Sequence, residues 1–376
     1  MYMYTELCFD ELFDLLQRAI ESDKNKRNIA YDKTPSYIFN LEDPIASSKL
    51  FGYDVSEKFY QDSKFYAEQC LRQKLWRFEN FPQDLLILDT DISSSIGMYV
   101  EYTFLDMGLY FDQSGVPVID EHHPLTQSKD LSVLKPVDFK TSGWMPRLLK
   151  WHDELCRIGD GRLNVLFPQW WRGPLDLAIQ LRGYENLMAD VAEDPDFVHD
   201  LLKFITEQRM RWTESYAAYF GVDIPQTGIG DDWINIPFIT PTFFEEFLLP
   251  RYMEIAAFQN GVTSIHSCGN QTPVQRFMPQ IKGLRSMEIS PWTDLALSMN
   301  NIPLDMPIAI NLHPSVLLET DTAIRANLEL IRNTLCSRQY SVTTSGLTPI
   351  GQLEQADAFV SRINQWISIA ADVFEG

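Results

Sequence analysis

Val262–Ser290 reads VTSIHSCGNQTPVQRFMPQIKGLRSMEIS. It opens on a short apolar run ending at Cys268 and turns at Gly269-Asn270. It continues into a helical pattern over 271–281 and closes on a second run, LRSMEIS (284–290). Thr272-Pro273 supplies a capping residue followed by a proline at the first helical position. That is one strand–helix–strand unit, and the same unit recurs on both sides. Short runs stand at LNVLFP (163–168), IPQTGIG (224–230), PIAINL (307–312) and YSVTTS (340–345). Helical patterns over 174–190, 195–219, 241–259, 314–335 and 350–373 separate or follow them. Asp194-Pro195 and Thr240-Pro241 repeat the cap-and-proline signature. Strands that alternate with helices are expected to pair in parallel. With LLILDTD (85–91) as a first strand, the count comes to about eight units, which predicts a (β/α)8 TIM-type barrel. An open doubly wound sheet is the alternative. No glycine-rich phosphate fingerprint follows any strand, which weakens its dinucleotide-binding version.

The first part of the chain is less regular. Leu7, Leu12, Leu15, Leu16, Ala19 and Ile20 recur at helical spacing. Residues 22–83 read as further helical segments, so 1–84 is expected to form an N-terminal helical extension on a barrel spanning 85–376. Residues 93–119 read as strands and turns, an insertion. GWMPRLLKWHDELCRI (143–158) reads as a helix.

Composition bounds the function. Lys and Arg number 31 against 52 Asp and Glu, a net charge of −21. Such a chain repels nucleic acid and anionic membrane surfaces. Apolar residues make up 45%, but no run approaches the roughly 18–20 needed to span a bilayer. The N-terminus, MYMYTELCFDELFDLLQRAI, lacks a basic leader and carries acids among its apolar positions, unlike a signal peptide. Five widely spaced cysteines with no CxxC pair suit a reducing compartment. A cytoplasmic enzyme acting on a small molecule is expected, and a homodimer is compatible with it.

In a barrel of parallel strands, functional groups sit at strand C-terminal ends. His266 and Cys268 are two apart at such an end, so both face one way. Imidazole and thiolate together make a half-site for zinc. The same pair also fits a core cysteine beside a hydrogen-bonded histidine. Glu288, at the next strand end, is placed to complete a metal shell or act as a base, or to form a structural ion pair. Asp231 and Asp232 end another strand and would orient substrate, or cap the turn that follows. Trp170, Trp171 and Arg172 follow the 163–168 run. They would line an apolar pocket with an anion anchor, unless the tryptophans are core. Asn270, in the turn after the His266–Cys268 strand, and Ser345, at a further strand end, complete the set expected to touch substrate.

Four stretches resemble the uroporphyrinogen-decarboxylase superfamily, in particular its cobalamin-associated methyltransferase branch. They are GPLDLAIQLRGYENLMADVAEDPDFVHDLL (173–202), GIGDDWINIPFITPTFFEEFLLPRY (228–252), IHSCGN (265–270) and MEISPWTDLALS (287–298). The resemblance spans roughly 143–355. It implies a zinc site using His266, Cys268 and Glu288, with transfer of a methyl group to a thiol or other acceptor. It also implies a corrinoid as methyl carrier. The chain has no Asp-x-His-x-x-Gly motif, so that corrinoid would come on a separate partner protein. The branch's second zinc-binding cysteine is missing: Thr343-Thr344-Ser345-Gly346 puts Ser345 in its place. The decarboxylase branch works without metal and uses an N-terminal arginine cluster. Here Arg27 and Arg72 stand alone, so that branch is the poorer match; a metal-free lyase stays an alternative, as does a non-catalytic binding protein of the same fold, which the missing cysteine suggests.

Overall fold

The computed structural model describes residues 4, 6–23, 35–42, 45–51, 57–112, 116–120 and 122–376. Arg27 lies outside them. Among the described residues ten strands follow in chain order. The first five are β1 (Ser36–Ile38), β2 (Asp91–Ser93), β3 (Leu109–Phe111), β4 (Pro117–Ile119) and β5 (Asn164–Leu166). The rest are β6 (Ile229–Gly230), β7 (Ile265–His266), β8 (Met287–Ile289), β9 (Ile308–Leu312) and β10 (Tyr340–Thr344). Contacts divide the chain into two compact units, one of 1–93, 154–166 and 307–376, the other of 94–153 and 167–306.

In the first unit β1 pairs in parallel with β10, Ser36 opposite Ser341, and β10 with β9, Tyr340 opposite Ile308. β2 pairs in parallel with β5. Ile308, Ile310 and Leu312 alternate with half-buried neighbours, as do Tyr340, Val342 and Thr344, so one face of each strand enters the core. The helix Phe9–Ser22 buries Leu12, Leu16 and Ala19 of the apolar stripe read from the sequence, with Phe13 beside them, and leaves Leu15 and Ile20 half-buried. Arg72 is spent on structure: it donates to the carbonyls of Tyr4 and Leu7.

In the second unit β6 and β7 pair in parallel, Gly230 opposite His266. Helix Pro195–Phe220 starts at the Asp194 cap and ends where Gly221 turns left-handed. An aromatic core forms along it, with Trp212 packed on Phe104, Phe139, Trp170 and Tyr216.

Several local expectations change. β1 lies within the stretch read as helical; it is three residues long, too short for its period-2 pattern to register. LLILDTD is not the first-half strand: pairing begins only at Asp91. The insertion does hold the antiparallel hairpin β3–β4, but 97–104 is helical. The 174–190 helix breaks at Gly183 into Pro174–Arg182 and Tyr184–Glu193. No α-helix follows β7, only turns and a 3-10 turn at Met278–Gln280. The 314–335 pattern divides into a 3-10 turn and the helix Asp321–Thr334. Residues 241–258 stay helical but widen into a π-turn at Phe244–Leu248. Pro250 lacks the N–H that an α-turn would use and crowds the turn before it, and the wider turn accommodates both.

Candidate metal centre

The site is built on a backbone ladder within the second unit. Gly230 N–H donates to the Trp171 carbonyl at 2.9 Å, and Gly173 N–H to the Gly230 carbonyl at 2.7 Å. Ile229 N–H donates to the Ser264 carbonyl and Asp231 N–H to the His266 carbonyl. Three segments thus run side by side and in parallel, and each leaves its ladder at one end. Gly230 is needed there because the Trp171 indole lies against it: a Cβ would fall 2.0 Å from Trp171 Nε1. Trp171 remains part-exposed. Trp170 does not line a pocket. It is core, and its indole N–H is spent on the Arg172 carbonyl at 3.0 Å.

Asp231 is fully buried. Its carboxylate accepts from the N–H groups of Leu175 at 3.0 Å and Asp176 at 2.7 Å, and from the Tyr252 hydroxyl at 2.6 Å. Those two amides are orphan donors in the first turn of helix Pro174–Arg182, so Asp231 caps that helix from a distant loop. The Gly-Pro pair that starts the helix fits this. Pro174 has no N–H to satisfy, and a Cβ on Gly173 would sit 2.3 Å from Asp231 Oδ2. Burial raises the affinity of Asp231 for a proton, and the bonds it accepts work against that rise.

Asp232 takes the other direction. Oδ2 accepts from Arg172 Nη1 at 2.7 Å, while Oδ1 lies 3.2 Å from Cys268 Sγ and 3.5 Å from His266 Nε2. Cys268 Sγ is 3.5 Å from His266 Nε2. Glu288 holds the other face of the imidazole, with both oxygens 2.9 Å from Nδ1. With a carboxylate there, Nδ1 keeps its proton, and Nε2 is the nitrogen turned toward Asp232 and Cys268, able to take a metal once its own proton is displaced. Burial opposes a charge on His266, but the bonds to Cys268 and Glu288 outweigh it and push its pKa up to about 10.

The loops carrying these groups are stitched together. Ser267 Oγ and Asn235 Nδ2 both donate to the Asp232 carbonyl, and Ile236 N–H donates to the Asn270 carbonyl. The Asn270 side chain accepts from Thr272 N–H at 3.0 Å and shapes the turn. Ser290 Oγ donates to the Gly269 carbonyl.

Asp232, His266 and Cys268 therefore offer a carboxylate oxygen, an imidazole nitrogen and a sulfur within 4.8 Å of one another. Zinc bonds of about 2.0–2.3 Å in tetrahedral geometry put ligand atoms roughly 3.3–3.8 Å apart. Separations of 3.2–3.5 Å fit that arrangement. Three such ligands would leave a fourth position open, as catalytic rather than structural zinc sites do.

Of the residues singled out in the sequence, His266, Cys268, Asp232 and Glu288 come together here, with Glu288 on Nδ1 rather than beside the sulfur. Asp231, Arg172 and Asn270 are engaged in internal bonds. Ser345 belongs to the other compact unit, where its hydroxyl donates to Asn311 Oδ1 at 3.0 Å. Tyr252, Asp176, Arg209 and Glu101 were not singled out. Arg209 is buried and donates to the carbonyls of Trp171, Arg172 and Gly228. Glu101 accepts from the N–H groups of Trp171 and Arg172. Buried polar groups of this kind give no periodic signal; only the Asp in Gly-Pro-Leu-Asp, at the start of a helix, offered a local cue to Asp176.

The sequence profile of the family described as Uroporphyrinogen decarboxylase (URO-D) matches residues 55–366. The chain belongs to this family, and the (β/α)8 barrel expected from its strand–helix alternation is the family's fold. Among solved structures it is similar to a methyltransferase from Methanosarcina mazei, at 17% identity and a TM-score of 0.61. That likeness covers 89% of this chain and 94% of the other. No curated protein matches the chain. No described helix is long and apolar enough to cross a membrane.

Proposed function

We propose that the chain is a methyl-transfer enzyme that moves a methyl group between a small molecule or corrinoid carrier and a thiol or other acceptor. Asp232, His266 and Cys268 would hold a zinc ion. The observation that carries this reading is the convergence of three donor atoms with the histidine tautomer set by Glu288. Bound zinc would supply its ordinary chemistry there, holding an acceptor thiol as thiolate near neutral pH. The protein's own groups prepare the position. Glu288 keeps the proton on Nδ1 and so keeps Nε2 turned toward Asp232 and Cys268. Ser267 and Asn235 fix the Asp232 backbone, and Ser290 fixes the turn after Cys268. Cys268 is exposed, so an acceptor can approach the open side.

This departs from the expected ligand set in one respect. Asp232 takes the place given to Glu288, and Glu288 becomes the partner that orients the histidine. It also leaves Ser345 without a ligand role, since a neutral hydroxyl is a poor zinc ligand beside a thiolate. The corrinoid, if used, would be carried by a partner protein. The similarity to a structure named a methyltransferase supports the reaction class.

The metal-free lyase is disfavoured by the surroundings of His266. Such a reaction needs cations to hold a poly-acidic substrate, and the nearby groups are Asp232 and Glu288. Arg172 is held by Asp176 and Asp232, and Arg209 is spent mainly on backbone carbonyls. The deciding measurement is metal content of protein purified without chelators, wild type against Cys268→Ser. Near-stoichiometric zinc in the wild type, lost in the variant, is expected. A wild type that takes up no zinc even with a thiol present overturns the reading.

A further inference from the structure

Arg172 reads in the sequence as an anchor for an anionic substrate. Its surroundings give it another task. Nη1 lies 2.6 Å from Asp176 Oδ2 and 2.7 Å from Asp232 Oδ2, and the side chain is only 5% exposed. A guanidinium nitrogen shared by the oxygens of Asp176 and Asp232 has little left for an anion from outside. The two oxygens of Asp232 are divided in consequence. Oδ2 is held by Arg172, and Oδ1 is the atom that faces Cys268 Sγ and His266 Nε2. Because a carboxylate is rigid and planar, fixing one oxygen fixes the other.

Arg172 is itself held on several sides. Asp176, one turn into helix Pro174–Arg182, is buried, and Asp231 caps the turn that carries it. The Arg172 N–H donates to Glu101 Oε1 at 3.1 Å. Its carbonyl accepts from Trp170 Nε1 and from Arg209 Nη1. The line therefore runs from the helix N-terminus through Asp176 and Arg172 to one oxygen of Asp232. We propose that Arg172 is a positioning residue that aims Asp232 Oδ1 at the His266–Cys268 pair. This rests on the reading of Asp232 as a metal ligand. It assigns Arg172 no contact with substrate.

A double-mutant cycle with cobalt(II) as the probe tests it. Affinity is read from the absorption of the bound ion, for Arg172→Gln in the wild-type and Asp232→Asn backgrounds. Outer partners of metal ligands typically contribute about 10–100-fold in affinity, and a loss of that size is expected for Arg172→Gln. Arg172→Lys should recover part of it, because an ammonium keeps the charge but not the fork. In the Asp232→Asn background the Arg172 change should have no further effect. An equal loss in both backgrounds, or no loss in either, overturns the proposal. A second readout needs no metal: the crystal structure of metal-free Arg172→Gln. The Asp232 Oδ1 to Cys268 Sγ separation, 3.2 Å here, should open. If the wild type takes no cobalt, the metal reading fails, and this separation decides alone: a carboxylate that stays in place overturns the positioning role. If Arg172→Gln does not fold, Arg172→Lys carries the same cycle and the same structure.

Discussion

Asp231 and Asp232 are neighbours in sequence at the end of one strand, yet they belong to two different environments. Asp231 heads a closed polar layer. Its oxygens are taken by two amides and a tyrosine hydroxyl, and around it lie Asp176, Arg172, Arg209, Tyr252 and Glu101, all buried or nearly so. Asp232 heads an open layer with His266, Cys268 and Glu288, where each group keeps partial access to solvent. The contrast is one of satisfaction. In the closed layer most donor and acceptor capacity is used inside the protein, which is what burial demands. In the open layer Nε2, the sulfur and Oδ1 face one another, and the protons between them can give way to a ligand. Spare capacity among converging donors is what a ligand-binding site requires, and a structural cluster lacks it.

If the division holds, the two aspartates should fail in opposite ways. Asp231→Ala leaves two helix amides and a tyrosine without their acceptor. The expected cost is roughly 3–5 kcal/mol in urea unfolding, as for breaking a buried charged network. Asp232→Ala should cost no more than about 1–2 kcal/mol in the same assay. Equal costs would erase the distinction between the layers. The next effect in size is on metal. His266→Ala and Cys268→Ser should each weaken zinc by at least roughly 100-fold, since outer partners alone are worth about 10–100-fold. With metal removed, both should unfold close to the midpoint of metal-free wild type. A variant that loses stability but keeps zinc would place that residue in the closed layer.

The open layer was far more legible in the sequence than the closed one. His266 and Cys268 announced themselves because the chemistry needs rare residue types at a strand end, and that position can be read from the flanking apolar run. Glu288 was found by the same rule. What could not be read was orientation: that Glu288 meets Nδ1, and that Asp232 comes round to Nε2, depends on how loops 231–236 and 266–270 are pinned to each other. The closed layer was nearly invisible. Arg172, Trp170 and Asp231 look like site residues from their position after strands. They prove to be engaged internally: a helix N-terminus reaches Asp231 from a distant part of the chain, while Arg172 is met by Asp176 on the helix just after it and by the Trp170 indole just before it. At the level of fold, the alternation from residue 163 onward was clear. β1 and the π-turn before Pro250 were not, since each is set by tertiary partners rather than by periodicity.

A smaller effect probes the boundary between the ligands and their support. Glu288→Gln keeps the shape but removes the charge that holds the proton on Nδ1. Zinc affinity should fall about 10-fold, at the low end for outer partners. Titration with a chromophoric chelator reads this directly. A fall as large as that of Cys268→Ser would mean that Glu288 binds the metal itself, and would move it into the ligand set in place of Asp232.

The smallest expected effect belongs to Asp176, and its sign distinguishes the layers by pH. Burial, with Asp231 and Asp232 close by, holds the Asp176 carboxyl well above the usual carboxylate range, with Arg172 only partly opposing. A carboxyl whose folded pKa is raised binds more protons when folded than when unfolded. By linkage, stability then falls as pH rises from the unfolded value of about 3.9 toward the raised folded value. Asp176→Asn removes that titration while keeping a side-chain oxygen for Arg172. At pH 5 wild type and variant should differ by less than about 1 kcal/mol in urea unfolding. Between pH 5 and 8 the variant should gain on the wild type. A variant that instead loses ground as pH rises would mean that Asp176 is held ionised by Arg172. The arginine would then be shared evenly between the two layers, and the closed one would carry its own charge.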